Sequence, residues 1–262
     1  MTPPTLPPMP AAVSAVLIIK DGEAHLDRVL AALAWCAEIL VIDSGSTDRT
    51  LAICAAHGAR VEHQDFLGYG PQKRHAVSRA THDWILSLDA DEVLDTEAVA
   101  ALRGLTLEDP TVAYRLRRRN HIGAVEIRHG VWSPDRCLRL FNRTRANVNA
   151  NAIHEAVDHA GPVVDLPGSI LHYSYVDAAD VFGRMPSYAR AKAAAAAARG
   201  RCPGGVVLTL RAIWAFCRSY VLKQGFRDGR LGVIVALSAA VDATLGLAMA
   251  DTNHQPPTTN HP

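Results

Sequence analysis

What most constrains this chain is an alternation. Strand-length runs at Val13–Ile19, 38–42, Arg60–His63 and 84–88 are separated by stretches with helical signals, and an aspartate follows two of them, Asp43 and Asp89. Between the first two runs, Leu26, Val29, Leu30 and Leu33 recur at the spacing of one helix face. After the second, Ser46 is placed to cap a helix reaching His57, with Gly58 as its stop signal. A further helix is expected over residues 71–80. Repeated βα units of this kind build an α/β fold with a mostly parallel sheet covered on both faces. Ligands of such sheets sit beyond the carboxyl ends of the strands, where Asp43 and Asp89 both stand.

From about Ala113 the pattern changes to shorter, more polar strand-like pieces at 113–117, 125–128 and 136–141, and then to a helix expected over 178–199. The alanine run 193–198 inside that helix reflects high intrinsic helix propensity. There is no internal repeat. Residues 184–230 hold ten Lys or Arg and a single acid, Asp228, and the twenty residues 231–250 that follow carry only Asp242 as a charge. A basic stretch followed by an apolar one is expected to attach peripherally to an anionic bilayer, while Asp242 makes a full span costly. The alternative is a helix buried on the main domain.

Composition removes other classes. A formal net charge of +1 argues against nucleic acid as a partner, since phosphate-reading proteins carry a large basic excess. The five cysteines are odd in number and form no CxxC pair, which predicts no disulfide framework, no zinc knuckle and a reducing compartment. The Pro-rich residues 1–10 lack the positive charge and apolar run of a signal peptide, so a cytoplasmic protein is expected.

The strongest chemical signal is Asp89-Ala90-Asp91-Glu92, directly after an apolar run. Carboxylates one residue apart at a strand end can divide labour around a sugar nucleotide, one binding ribose and the other a divalent ion that bridges the phosphates. Hard oxygen ligands favour Mg2+ or Mn2+, which would neutralise charge on a departing diphosphate. The alternative is a solvated acidic turn before a helix over 97–105. Asp43-Ser44-Gly45-Ser46-Thr47-Asp48 adds a strand-end acid able to accept from a nucleobase N–H, with Gly45 permitting close approach. Lys73 and Arg74 form a cationic pair near a helix start on a Gly-rich approach, suited to a diphosphate or else to a solvated helix face.

Together, an opening strand ending in Lys20, then DSGSTD, GYGPQKR and LSLDADE, resemble glycosyltransferase family 2. Within it, Trp132-Ser133-Pro134-Asp135, Arg139-Leu140-Phe141, His154-Glu155 and Gly225-Phe226-Arg227-Asp228-Gly229 resemble the bacterial enzymes that add glucose to the heptose of the lipopolysaccharide inner core. The resemblance runs from about Val13 to Ala240. It implies a GT-A type nucleotide-diphospho-sugar transferase fold over residues 13–175, a helical membrane-associated region over 176–250, and tails at 1–12 and 251–262. It implies inverting transfer of a hexose from a nucleotide sugar, most simply glucose from UDP-glucose, to a core heptose or similar lipid-linked saccharide. Other acceptors in the same chemistry are a polyprenyl phosphate or another envelope glycan. A nucleotide-sugar-binding protein without turnover is the reading from a different class.

Carried over residue by residue, the resemblance assigns Asp43 to the base, Asp89 to the ribose and Asp91 to the metal, with Lys20, Gly45, Lys73, Arg74 and Arg139 in donor binding. Glu155 matches the position of the proton acceptor, His154 would orient it or touch the donor, and Asp135 is the rival carboxylate. A histidine-built metal site is not expected, because His121, His129, His159 and His172 show no metal-ligand spacing. One departure from the family is Lys20-Asp21-Gly22-Glu23, where members usually carry Lys-Asn-Glu, placing an acid beside the nucleotide pocket.

Overall fold

The computed structural model describes residues 11–149, 156–197 and 203–252. Its chain divides into two compact units, one of Met1–Arg118 with Arg136–His172 and one of Arg119–Asp135 with Tyr173–Pro262.

In the first unit, strands β1 (Val13–Ile19), β2 (Glu38–Asp43), β3 (Arg60–His63) and β4 (Trp84–Asp89) lie in the order β3-β2-β1-β4, all parallel. Central strands β1, β2 and β4 are buried along nearly their whole length because helices cover both faces, which is why they read as continuous apolar runs. Helix α1 (Glu23–Ala32) buries Leu26, Val29 and Leu30, the face its periodicity predicts. Helix α2 (Thr50–Ala56) starts later than the expected cap at Ser46, because Ser46 is held in the turn after β2. Helix α3 (Tyr69–Arg79) starts two residues before Pro71, which its first turn tolerates because no intrahelical N–H bond is needed there.

The second half of the sheet is mixed. Strand β5 (Glu92–Leu94) follows the acidic cluster at once, and Asp95 then caps α4 (Thr96–Arg103) by accepting from Ala98 N–H at 2.8 Å. Strand β6 (Ala113–Ile122) is longer than expected and β7 (Val125–Glu126) shorter. Strand β8 (Asp135–Asn142) pairs antiparallel with β4, and β9 (Asn147–Val148) pairs with β10 (Val157–Asp158) apart from the main sheet. Strand β11 (Val163–Tyr175) was not expected, since Pro167 and Gly168 interrupt its pattern. The completed order is β3-β2-β1-β4-β8-β6-β11-β5, and β11 pairs antiparallel with β5. A core of Val16, Leu40, Ile42, Val77, Ile85 and Phe141 lies between sheet and helices.

The second unit holds α5 (Ala178–Ala197), α6 (Gly205–Cys217), a π-helical turn (Arg218–Leu222), a 3-10 turn (Gly225–Asp228) and α7 (Gly229–Thr252). Helix α7 packs on both α5 and α6, with Ala193 and Ala250 buried between α5 and α7 and an ion pair from Lys192 to Asp242. Asp228, ahead of α7, accepts the N–H groups of Arg128 (2.9 Å) and His129 (2.7 Å) on one oxygen and meets His129 Nδ1 at 2.7 Å on the other. Two segments, Gly205–Leu222 and Gly225–Ala250, are long and apolar enough to cross a membrane.

Two positions test this architecture. Gly168 has φ 81°, and a Cβ there would lie 2.1 Å from Ala98 N at the start of α4. Gly168→Ala should therefore cost about 3–5 kcal/mol, read as a drop in denaturation midpoint. Glu38 joins β1, β2 and the loop before β4, accepting from Ser14 Oγ (2.5 Å), Thr81 N–H (2.7 Å), Thr81 Oγ1 (2.8 Å) and Arg60 (2.8 Å). Burial pushes its carboxyl up, but these donors outweigh it and bring the pKa down to about 2. A depressed folded-state pKa contributes stability above the unfolded value that is lost as pH falls through the folded one. Glu38→Gln should cost about 2 kcal/mol at neutral pH, and the difference should close between roughly pH 4 and pH 2 in melting experiments.

Candidate active site

The two strand-end aspartates flank the end of β1. Register sets Ile19 beside Asp43 on one side and Ile18 beside Asp89 on the other, so two strand spacings, roughly 9–10 Å, separate them. Asp43 is buried and accepts from Gly45 N–H (3.0 Å), Ser46 N–H (3.2 Å) and Ser46 Oγ (2.5 Å). Gly45 has φ 88°, and a Cβ built there would meet nothing nearer than His63 at 3.9 Å. Glycine is required by the turn's backbone, and the space beside the turn is left open.

The loop after β1 is tied to the same turn. Asp21, itself at φ 51°, accepts Thr47 N–H at 2.7 Å and donates its own N–H to Ser46 Oγ at 2.9 Å. Gly22 N–H reaches Thr50 Oγ1 at 2.9 Å. The acid that departs from the family pattern is thus a loop-to-loop tie. Lys20, beside it, is exposed. Gln72, fully buried at the start of α3, donates to Ser44 Oγ (3.0 Å) and Gln64 O (3.1 Å) and accepts Leu67 N–H (3.2 Å), joining three segments. Sequence reading passed over it, although the Gln-Lys-Arg run placed it beside a named cation.

At the other aspartate the charges converge. Lys73, buried, sets Nζ 2.6 Å from Asp89 Oδ1, and Arg139 Nη2 lies 3.4 Å from Asp89 Oδ2 and 2.5 Å from Glu92 Oε1. Glu92 is wholly buried, meets Arg118 Nη1 at 3.3 Å and accepts Asp89 N–H at 3.3 Å. Burial alone would raise both acids, but Lys73 and Arg139 outweigh it at Asp89, and Arg139 does so at Glu92, holding both below the ordinary carboxylate range. Burial works against the Arg139 charge in turn, yet Glu92 and Asp89 hold it firmly protonated. Arg74, next to Lys73, points to the exposed side of α3.

A cavity of about 280 Å³ opens on this cluster, near the small end for ligand pockets, lined by Lys73, Asp89, Arg118, Arg136 and Arg139. Four cations to one carboxylate suit an anionic ligand. Arg139 Nε, buried, has no hydrogen-bond partner among the described residues, which leaves donor capacity beside the cavity. Arg118 and Arg136 were not singled out from the sequence. The period-2 pattern of strands offered the only signal, and it needed the strand boundaries first.

Asp91 is different. Burial raises its carboxyl above the ordinary value, Asp89 and Glu92 add to that, and His172 opposes it. His172 Nε2 stands 3.6 Å from Asp91 Oδ1 because β11 sets His172 opposite Glu92. No group of three metal-type ligands occurs among the described residues. Asp91 and His172 would nonetheless offer a carboxylate oxygen and an imidazole nitrogen to a divalent ion such as Mg2+ or Mn2+. His172, set aside at the sequence level for want of spacing, enters through strand register, which the sequence does not display.

Asp135 opens β8 in the second unit, where Asn120 Nδ2 lies 3.4 Å from its carboxylate while also donating to Trp132 O at 2.9 Å. His154 and Glu155 lie outside the described residues.

Comparison with known proteins agrees with this geometry. Residues 14–161 match the family described as Glycosyl transferase family 2. The lipopolysaccharide core biosynthesis glycosyltransferase LpsC of Rhizobium meliloti is 30% identical over 95% of this chain and 94% of its own length. A glycosyltransferase of Rickettsia bellii is 28% identical over 90% of this chain and 85% of its own. Among solved structures, a glucosyl-3-phosphoglycerate synthase from Mycobacterium tuberculosis, held with Mn2+, UDP-glucose and phosphoglyceric acid, is 23% identical over 42% of this chain and 44% of its own, with a TM-score of 0.36. On its family match, its full-length relative and its parallel βα half continued by a mixed half, the chain belongs to glycosyl transferase family 2 and has that family's GT-A fold.

Proposed function

We propose that this glycosyltransferase moves a hexose with inversion from a nucleoside diphosphate sugar, UDP-glucose by preference, to a heptose of lipopolysaccharide core or a similar lipid-linked saccharide. The observation that carries the donor side is the division of labour in Asp89-Ala90-Asp91-Glu92. Asp89 and Glu92 are paired with Lys73, Arg118 and Arg139, while Asp91 has no Lys or Arg pair among the described residues and stands beside His172. The full-length relationship to a core biosynthesis enzyme supports the acceptor class.

In this reading Asp43 faces the base and Asp89 the ribose, Lys73, Arg118, Arg136 and Arg139 surround the diphosphate, and Asp91 with His172 would hold Mg2+ or Mn2+. Such an ion supplies positive charge against the negative charge that builds on the leaving diphosphate. Lys73 and Arg139, already fixed by buried carboxylates, add stabilisation with little reorganisation. The acceptor hydroxyl attacks the anomeric carbon from the face opposite the diphosphate, the bond to the phosphate oxygen breaks, and Glu155 takes the hydroxyl proton, with His154 orienting it. Asp135 is the competing base. Attachment to the inner face of the cytoplasmic membrane would come from the basic stretch of 184–230, each charge near the surface contributing on the order of 1 kcal/mol.

A donor screen tests the central claim: purified protein, Mg2+ or Mn2+, a panel of nucleotide sugars and detection of released nucleotide. Asp91→Asn should lower turnover by roughly 10²–10³-fold with folding intact. Undiminished activity of the wild type in EDTA would falsify the metal-dependent reading. Glu155→Gln keeps size but cannot take a proton, so donor binding should persist while transfer falls by roughly 10²–10⁴-fold. Asp135→Asn runs beside it: loss of transfer there, with Glu155→Gln near normal, reassigns the base.

A further inference from the structure

Among the described residues, eight of the eighteen exposed large apolar side chains fall within residues 206–226. They are not scattered. At about 100° per residue, Val206 (76% exposed), Leu210 (61%), Ile213 (54%) and Trp214 (61%) share one side of α6, and Val221 is exposed in the π-helical turn that follows. The opposite side, with Leu208, Ala212 and Ala215, is less exposed, and α6 packs on α7. Arg211 and Arg218, both exposed, border the stripe along one edge. No Asp or Glu occurs in the sequence between Asp180 and Asp228.

We infer that this stripe of α6 is the membrane-docking face, with the helix lying in the plane of an anionic bilayer, Trp214 and its apolar neighbours in the headgroup–acyl boundary and Arg211 and Arg218 on lipid phosphates. The inference rests on the peripheral attachment proposed above and changes its contact element. The sequence singled out residues 231–250 as the apolar partner of the membrane, but there Val235 and Ala236 are fully buried and Asp242 is paired with Lys192. A span by α6 would carry Arg211 and Arg218 into hydrocarbon, whereas an in-plane helix with a basic edge leaves both at the headgroups. A second copy of the chain is the poorer occupant: a two-fold contact through this stripe would gather the arginines of both copies with no acid from the segment to meet them.

The test uses the full chain with phosphatidylethanolamine vesicles, with and without phosphatidylglycerol. Wild type should cosediment with the anionic vesicles, and brominated lipid should quench a fluorescence component that Trp214→Phe removes. Leu210→Glu with Ile213→Glu should weaken binding roughly tenfold or more, while Leu237→Glu, an exposed apolar position on α7, should leave it unchanged. Because all three positions are exposed, unchanged melting temperatures should confirm that the variants fold. Wild-type-like binding of the double variant would overturn the assignment of this face while the membrane reading stands. Wild type that ignores anionic vesicles would overturn both. Wild type that self-associates in solution, with the double variant monomeric and no less bound to vesicles, would give the stripe to a second copy instead.

Discussion

The buried carboxylate of Glu92 is the constraint around which the catalytic half is arranged. An ionised acid with no solvent contact costs several kcal/mol unless paired and hydrogen-bonded. Glu92 therefore needs Arg139, and Arg139 reaches on to Asp89, whose other oxygen holds Lys73. Helix α3 and strands β4, β5, β6 and β8 each contribute a group, so the site's charges also fix the relative placement of these elements. Within the cluster Lys73, Arg118 and Arg139 stand against Asp89, Asp91 and Glu92, and Arg136 joins the cations that line the cavity. Asp91, alone of the three acids, has no Lys or Arg pair among the described residues, and its neighbour is His172.

Where local pattern and tertiary environment agreed, the sequence was legible. Strands β1 and β3 fall where their patterns put them, and the two strand-end aspartates stand at the carboxyl ends of parallel strands. The apolar runs of β1, β2 and β4 could serve only a sheet covered on both sides. Beyond Ala113 the agreement ends. Strand β5 is three residues long and directly follows an acidic turn, and β11 contains Pro167 and Gly168, so neither carries an apolar period strong enough to stand out. Missing those strands also hid His172, since its place depends on being opposite Glu92.

The same limit applied to roles within correctly placed motifs. Lys73 and Arg74 read as one cationic pair, yet adjacent helix positions diverge by about 100°, and only Lys73 turns inward. Asp21 read as an acid beside the nucleotide pocket, and its carboxylate also accepts Thr47 N–H from the neighbouring turn. Ser46 read as a helix cap and instead serves the turn that holds Asp43. In each case the residue type was informative, and its partner lay some distance along the chain or on the other side of a turn. The alanine run of α5 shows the complement: helix propensity accounted for its secondary structure, while Ala193 buried against Ala250 shows that small side chains also let two helices approach closely.

The pairing of β5 with β11 bears on how this protein acquires its site. Glu92 and His172 are partners in the sheet although eighty residues separate them in the chain. Within the parallel βα half, the pairings of β1 with β2 and β4 and the contact of Lys73 with Asp89 all join residues among the first ninety. Closing the longer loop carries a larger entropic cost and depends on a template already in place. A chain emerging from the ribosome would thus gain Asp43, Lys73 and Asp89 well before His172, the neighbour of Asp91. The pairing that sets His172 beside Asp91 would then come late in folding, waiting on β11 to meet β5 at the sheet's far edge.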